Sequence, residues 1–357
     1  MRQFSYDQLA GRVLFGHGTI AAVGDELDNL DVQRVILIAD DMAKAEADQI
    51  EDDLGSRVVA RIGEIRPHVP VVDAEAARHM ADDRGADAVV TIGGGSTTGL
   101  GKAIVLERDM PFLAIPTTYA GSEMTPIYGM TGDKVKRTGR DPRVKPNTVI
   151  YDVDLTLDLP ANVTAGSTMN ALAHCVEALY AQERNPIVSL MALEGVAALK
   201  RGSAGVAADP RDGAGRAQLL YGAFLAGASL GSVGMAVHHR ICHVLGGTYG
   251  LAHGDANAVI LPYVVAYNQV AEPEVMATLA GALDSDEPDL AIYQLARALG
   301  APISLAELGV NESDLDRAAQ MVLSNGGYNP RPLHRDWIRS LLGDAFEGLP
   351  PTSKPEP

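Results

Sequence analysis

The sequence is poor in cysteine, in basic charge and in long apolar runs, and each shortage removes a class of protein. Two cysteines, Cys175 and Cys242, are too few for a disulfide framework, which makes a reducing compartment the simpler expectation. No stretch approaches the roughly 18 uninterrupted apolar residues of a membrane-spanning helix. The first residues, MRQFSYDQLAGR, lack the apolar centre of a secretory signal, so a cytoplasmic location with no membrane partner is expected. Lysine and arginine total 29 against 46 acidic residues, a formal charge of −17. That balance argues against a nucleic-acid partner, because phosphate backbones are held by basic surfaces. It leaves room for a small anionic ligand.

What is present is apolar material for more than one core: 357 residues, 46% of them hydrophobic. The first part alternates strand-like and helix-like segments. RVILIAD (34–40), residues 58–62, AVVTI (88–92) and FLAI (112–115) read as strands, with an entry strand at 12–15. Helical stretches are expected up to Leu54, over 73–84 and near 97–106. Strands alternating with helices predict a parallel sheet covered on both faces. After about residue 160 the chain turns to long Ala-, Leu- and Met-rich stretches, 167–181, 188–200, 215–231 and 233–246, with no convincing strand. The expected organisation is an α/β dinucleotide-binding domain over 1–158, a Rossmann-like parallel sheet, followed by an all-α catalytic domain over 159–345. The Pro-rich end, 346–357, is expected to be a disordered tail.

Gly93, Gly94, Gly95 and Ser96 sit between a β-branched strand and a helix. Glycines there let backbone N–H groups approach a pyrophosphate, and the helix terminus favours negative charge. A bare GGGS equally serves as a tight turn. Asp40 ends the RVILIAD strand, where a carboxylate suits an adenosine ribose or simply caps the next helix. Thr117, Thr118, Gly121 and Ser122 follow the strand FLAIP and offer hydroxyls and amides to a ligand crevice.

The histidines are the most informative feature. Asn170 and His174 lie four apart and share a helix face; His239 and His243 repeat the spacing, and His253 follows in LAHGDAN. Such a set suits a metal or a proton-transfer pocket, although a divalent site usually also carries an anionic ligand. His238, next door, points to another face and reads as structural.

The order GGGS, PTTxxGSE, NAxxHxxE, HxxxH and HG resembles the iron-containing alcohol dehydrogenases. The resemblance implies NAD(P) bound on an N-terminal α/β domain and a divalent metal on a helical C-terminal domain, in a dehydroquinate synthase-like architecture. The family's metal positions match Asn170, His174, His239 and His253, and His243 matches a histidine near the nicotinamide. The family has aspartate where this chain has Asn170, so the anionic ligand is replaced by a neutral amide and only a vestigial or weak metal site is expected. That same departure is similar to the maleylacetate reductase branch. TTYAGSEMTPIYGMT, KRTGRDPRVKPNTVIYD, VGMAVHHRICHVLGG and YNPRPLHRDWIRSLL carry the likeness, which runs from Gly11 to about Leu342.

The resemblance implies NADH- or NADPH-dependent reduction of maleylacetate, with chlorinated maleylacetates as further candidates, to 3-oxoadipate in aromatic-compound breakdown. It also implies a homodimer. Hydride added to the conjugated C=C leaves an enolate, a milder anion than the alkoxide for which a metal is most useful. His243 and His253 are the leading candidates to hold that anion and deliver the proton, as cations, with His174 and His239 completing the pocket. The substrate's two carboxylates need partners. Six cations between Lys134 and Lys145 supply them, Lys136 and Arg137 first, with Asn170 and Tyr328 as further contacts and Arg331 as a weaker one. The alternatives are a metal-dependent alcohol dehydrogenase, a dehydroquinate-synthase-like lyase and a non-catalytic nucleotide-binding or scaffold protein.

Overall fold

The structure, a computed structural model, describes residues 3–7, 9–132 and 135–352; the side chains of residues 135 and 136 are outside the description. It divides into two compact units, Gln8–Leu159 and Pro160–Pro357 with Met1–Asp7.

The first unit is built on a six-stranded parallel sheet. Its strands are β1 (Arg12–Gly16), β2 (Val35–Ala39), β3 (Val58–Ile62), β4 (Ala88–Gly93), β5 (Phe112–Pro116) and β8 (Thr148–Asp152), in the order β1-β8-β5-β4-β2-β3. Every residue of β2, β4, β5 and β8 is buried, which is why these runs are continuously apolar rather than alternating. The pleat still sorts them. Val35 and Leu37 enter one core with the helices α1 (Val23–Asn29) and α2 (Lys44–Leu54), whereas Ile36 and Ile38 enter the other with α3 (Val71–Asp83) and α4 (Gly95–Glu107). From β2 the chain moves outward to β3, then returns to β4 on the other side of β2 and continues to β5. The switch point therefore lies between β2 and β4, whose carboxyl ends carry Asp40 and the glycine loop; ligand crevices of open α/β sheets form at such points.

Two features depart from the expectation. The basic stretch is not simply a loop: β6 (Ile127–Gly132) and β7 (Val135–Arg140) form an antiparallel hairpin, Ile127 opposite Arg140 and Met130 opposite Arg137. β8 also forms from the apolar run TVIYD that follows Pro146.

The second unit is helical, with no strand among its described residues. Its first five helices are α5 (Ala161–Tyr180), α6 (Pro186–Ala208), α7 (Gly213–Ser232), α8 (Val237–Tyr249) and α9 (His253–Asn268). They are followed by α10 (Pro273–Leu283), α11 (Pro288–Ala298), α12 (Leu315–Ser324) and α13 (Arg335–Glu347). α8 starts at Val237, not at 233, because residues 233–236 form the extended link after α7. α6 begins where Asn185 accepts from the backbone N–H groups of Ile187 and Val188, with Pro186 at its first position. α5 is buried along almost its whole length, so its polar residues stand in the interior and need partners there. Order continues past residue 346: α13 runs to Glu347, and the Gly348 and Leu349 carbonyls accept bonds from the Tyr293 and Tyr263 hydroxyls. Of the expected tail, 353–357 lies outside the described residues. No single helix among the described residues is long and apolar enough to cross a membrane.

Candidate active site

In the α/β unit the glycine loop and the loop after β5 form one cradle. Asp40 braces it: Oδ2 accepts from the Gly94 amide at 3.0 Å and from Thr97 Oγ1 at 3.1 Å, while Oδ1 caps the next turn through the Ala43 amide. A side chain at Gly93 would strike Asp40 Oδ2 and Thr97 Oγ1, so the glycine is required by close approach. The Asp40 carboxylate, expected either to face a ribose or to cap the next helix, makes that cap and also holds the loop. Gly94 packs against Thr118 and Gly95 against Ala120, and the Thr117 amide donates to the Gly93 carbonyl. Ser96 lies in the first turn of α4, where free amides meet an anion. Gly121 turns the chain with φ +75°, and the Ser122 carbonyl accepts from Lys102 Nζ at 2.7 Å.

Lys102 and Glu123 escaped the sequence reading. Lys102, fully buried on α4, also donates to the Thr125 and Ile127 carbonyls at 2.8 and 2.7 Å. Burial pulls its pKa down to about 7, with nearby Glu123 opposing the shift. Glu123 accepts from the Tyr151 hydroxyl at 2.6 Å, and burial raises both their pKa values. A lysine in the apolar run GLGKAIVL is the signal that marks an interior charge.

In the helical unit the structure gathers the four site histidines. His174 on α5 lies flat against His239 on α8, centroids 4.7 Å apart. His253, the first residue of α9, is 6.1 Å from His239 and 5.9 Å from His243. Asn170, buried, is one turn before His174 on α5. The cluster has a closed end and an open end: His174 and His239 are buried, His253 is half-buried and His243 is exposed. α9 starts where it does because Gly254 lies directly on Gly166 of α5; a Cβ on Gly254 would sit 2.8 Å from Gly166 Cα.

Behind this pocket lies Glu177, to which no role was given from sequence. Its Oε2 meets His239 Nδ1 at 2.8 Å, and its Oε1 accepts from the His238 amide at 2.8 Å. A carboxylate three residues beyond His174, in the otherwise apolar ALAHCVEALYA, is the signal that it serves the histidines. His238 is fully buried, Nε2 against the Asn257 carbonyl at 3.3 Å, and is structural. Glu177, His238 and His239 bring nitrogen and oxygen atoms within 4.8 Å of one another, but their bonds to each other account for that spacing.

Electrostatics set the state of the two buried rings. Burial first, and the mutual repulsion of the rings second, hold His174 and His239 well below the ordinary histidine pKa. Burial lowers His238 to about 3. Burial therefore favours the neutral form of both rings, His174 and His239, in the free enzyme. The bond to Glu177 assigns the His239 proton to Nδ1, leaving its Nε2 as the lone-pair nitrogen. His174 Nδ1 and His239 Nε2 are buried with no hydrogen-bond partner among the described residues, so a ligand that serves them removes a penalty of about 1–3 kcal/mol each.

The basic stretch is divided between β7 and the turn that follows it. Lys134 lies outside the described residues, as does the side chain of Lys136. Arg137 is exposed on β7. Arg143 turns onto Asp141, and Lys145 Nζ donates to the Leu9 and Ala10 carbonyls, near the amino ends of β1 and β8 and opposite the glycine loop. In the helical unit Tyr328 is half-buried, its carbonyl held by Arg240 at 3.1 Å. Arg331 is structural: it is buried between the Tyr267 and Trp337 rings, 4.5 and 4.1 Å from their centroids. Cys175 and Cys242 are buried, and burial raises both thiols, so neither is a nucleophile.

Comparison with known proteins agrees with this layout. The family model "Iron-containing alcohol dehydrogenase" matches residues 10–153, and "Fe-containing alcohol dehydrogenase family, C-terminal" matches residues 164–346. Maleylacetate reductase from Burkholderia cepacia is 46% identical over 352 residues, 99% of this chain and 100% of that protein. The crystal structure of maleylacetate reductase from Rhizobium sp. strain MTP-10005 superposes with a TM-score of 0.95 at 44% identity, covering 98% of this chain and 100% of that one. That of maleylacetate reductase from Agrobacterium tumefaciens gives 0.95 at 43%, with the same coverage. A six-stranded parallel sheet followed by nine described helices, with two successive family models matching residues 10–153 and 164–346, identifies the chain as an oxidoreductase of the iron-containing alcohol dehydrogenase family.

Proposed function

We propose that this enzyme reduces maleylacetate to 3-oxoadipate with NADH or NADPH as hydride donor. The observation that carries the reading is the identity to maleylacetate reductases over essentially the whole of both chains. Hydride from the reduced nicotinamide adds to the alkene carbon β to the ketone. The π electrons move to the ketone oxygen as an enolate, and a proton then joins the adjacent carbon. The balance is one NAD(P)H and one proton consumed per substrate.

The histidine pocket suits this chemistry. Near pH 7 its buried rings are neutral, so an incoming dianion brings the charge that makes a proton on His239 Nε2 favourable, with Glu177 stabilising the resulting imidazolium. His239 and His174 then face the developing enolate oxygen, and Asn170 adds a neutral donor. His243 and His253, at the open end, are the proposed carriers of the proton to carbon. Arg137 and Lys136 on β7, and Tyr328, are the proposed partners of the substrate carboxylates.

The residues do not fit the family's iron. A non-haem ferrous centre takes a carboxylate among its ligands, whereas here Asn170 is an amide and Glu177 is engaged by His239 and His238. No step is assigned to a metal.

The test is oxidation of NADH and of NADPH by maleylacetate, with the product identified by mass. Stoichiometric cofactor oxidation and 3-oxoadipate support the reading and exclude a lyase that regenerates its cofactor. Reduction of simple aldehydes without any turnover of maleylacetate would replace it with an alcohol dehydrogenase.

A further inference from the structure

We propose that Lys102 is a positioning residue for the nicotinamide nucleotide, a buried ammonium that locks the two loops of the cradle into their binding geometry before the cofactor arrives. The inference rests on the reading that this cradle holds NAD(P)H.

Lys102 is in the middle of α4, about two turns from the glycine loop at that helix's N-terminus. Its side chain is fully buried, yet no carboxylate is in salt-bridge contact with it among the described residues. Instead its ammonium is surrounded by oxygen from one segment: the Ser122 carbonyl at 2.7 Å, the Thr125 carbonyl at 2.8 Å, Thr125 Oγ1 at 3.0 Å and the Ile127 carbonyl at 2.7 Å. These atoms directly follow Thr117–Gly121, the second wall of the cradle. Glu123 lies inside the same segment and is tied to Tyr151 of β8. The segment is thereby fastened at two points, to α4 by Lys102 and to the sheet by Tyr151.

The physical consequence is preorganisation. Without the ammonium, interior carbonyls lose their donor and the segment relaxes to find others. The nucleotide would then have to order the loop on binding, so affinity falls while the chemistry of the bound complex is preserved. A lysine that merely supported the fold would weaken stability without selecting the cofactor step.

Lys102→Met tests this, with the dissociation constants of NADH and NADPH read from cofactor fluorescence and the steady-state constants read alongside. Both dissociation constants are expected to rise about tenfold or more, the fold-change of one lost charge-assisted hydrogen bond. The KM for maleylacetate, and kcat at saturating cofactor, are expected to stay within about threefold. Val105→Ala, a cavity on the same helix but in the core, is the control: it lowers the melting temperature and leaves cofactor affinity unchanged. Thr125→Val, which removes one of the four oxygens, gives a smaller shift in the same direction and serves if Lys102→Met does not fold. Unchanged cofactor affinity in Lys102→Met or in Thr125→Val, or equal weakening in Val105→Ala, overturns the proposal. Wild-type protein that binds neither nucleotide overturns the reading beneath it, a result visible before any variant is made.

Discussion

Glu177 decides how His239 can act. Its two oxygens serve two donors, the His239 ring and the His238 amide, and a glutamine cannot accept both with its single carbonyl. Glu177→Gln therefore places an amide N–H against His239 Nδ1 and forces the opposite tautomer. We predict a kcat loss of about 10–100-fold with the cofactor KM unchanged, in steady-state assays with maleylacetate; wild-type kcat would remove Glu177 from the mechanism. Asn170 is the second deciding residue. Asn170→Asp restores a carboxylate beside the imidazoles, so the variant is expected to retain zinc or iron through dialysis against a chelator and to turn over maleylacetate more slowly. Metal content equal to wild type, with unchanged rate, would show that the amide is incidental. Asn170 with His174, and His239 with His243, were legible in the sequence because helical spacing places each pair on one face. Glu177 was not: its partners, His239 Nδ1 and the His238 amide, come from a helix about sixty residues away.

At the scale of elements, the pocket depends on how closely two helices cross. α5 brings Asn170, His174 and Glu177, and α9 brings His253 at its first residue; Gly166 and Gly254 set the distance between them. Gly254→Ala is predicted to cost about 1–3 kcal/mol as the helices part, and to lower kcat because His253 moves away from His239. Thermal melts and kcat together check this, and a variant matching wild type in both would mean that the contact yields freely. Sequence reading recovered the strands β1 to β5 but not β8, although β8 is buried along its whole length. β2, β4 and β5 are buried on both faces, and their largely continuous apolar runs say so. The β6–β7 hairpin was not recovered, because VKRTGR interleaves charge and glycine and reads as a solvated loop. Its strand state comes from pairing with β6, which sequence periodicity does not contain. Neighbouring residues of β7 point to opposite faces, so its cations do not all face one way.

For the whole molecule, the buried histidines link stability to pH. His174, His238 and His239 have folded pKa values below the ordinary 6.5, so below that pH the unfolded chain takes up protons that the folded one refuses. The stability they contribute is present above about pH 6.5 and is lost as pH falls, at up to roughly 1.4 kcal/mol per pH unit for each histidine. Glu177, Glu123, Asp255 and Asp289, with pKa values raised by burial, work in the opposite sense below their own folded values, whereas Lys102, lowered to about 7, works with the histidines. Denaturant midpoints are therefore expected to fall between about pH 7.5 and about pH 5.5. A midpoint that stays constant or rises would mean that the cluster is already charged when folded. The division into an α/β unit followed by helices was legible from the change of pattern near residue 160. The neutral state of the cluster was not, because depth of burial is a property of the assembled fold.

The proposed chemistry requires this pocket to stabilise an enolate with its own residues. The most direct measurement is maleylacetate-dependent NADH and NADPH oxidation by enzyme freed of metal through exhaustive chelation, with zinc or iron added back in parallel. Full turnover by the chelated enzyme, unchanged on metal addition, is the predicted result. Activity that disappears on chelation and returns only with added metal would contradict it, and would make His174, His239 and His253 ligands rather than donors.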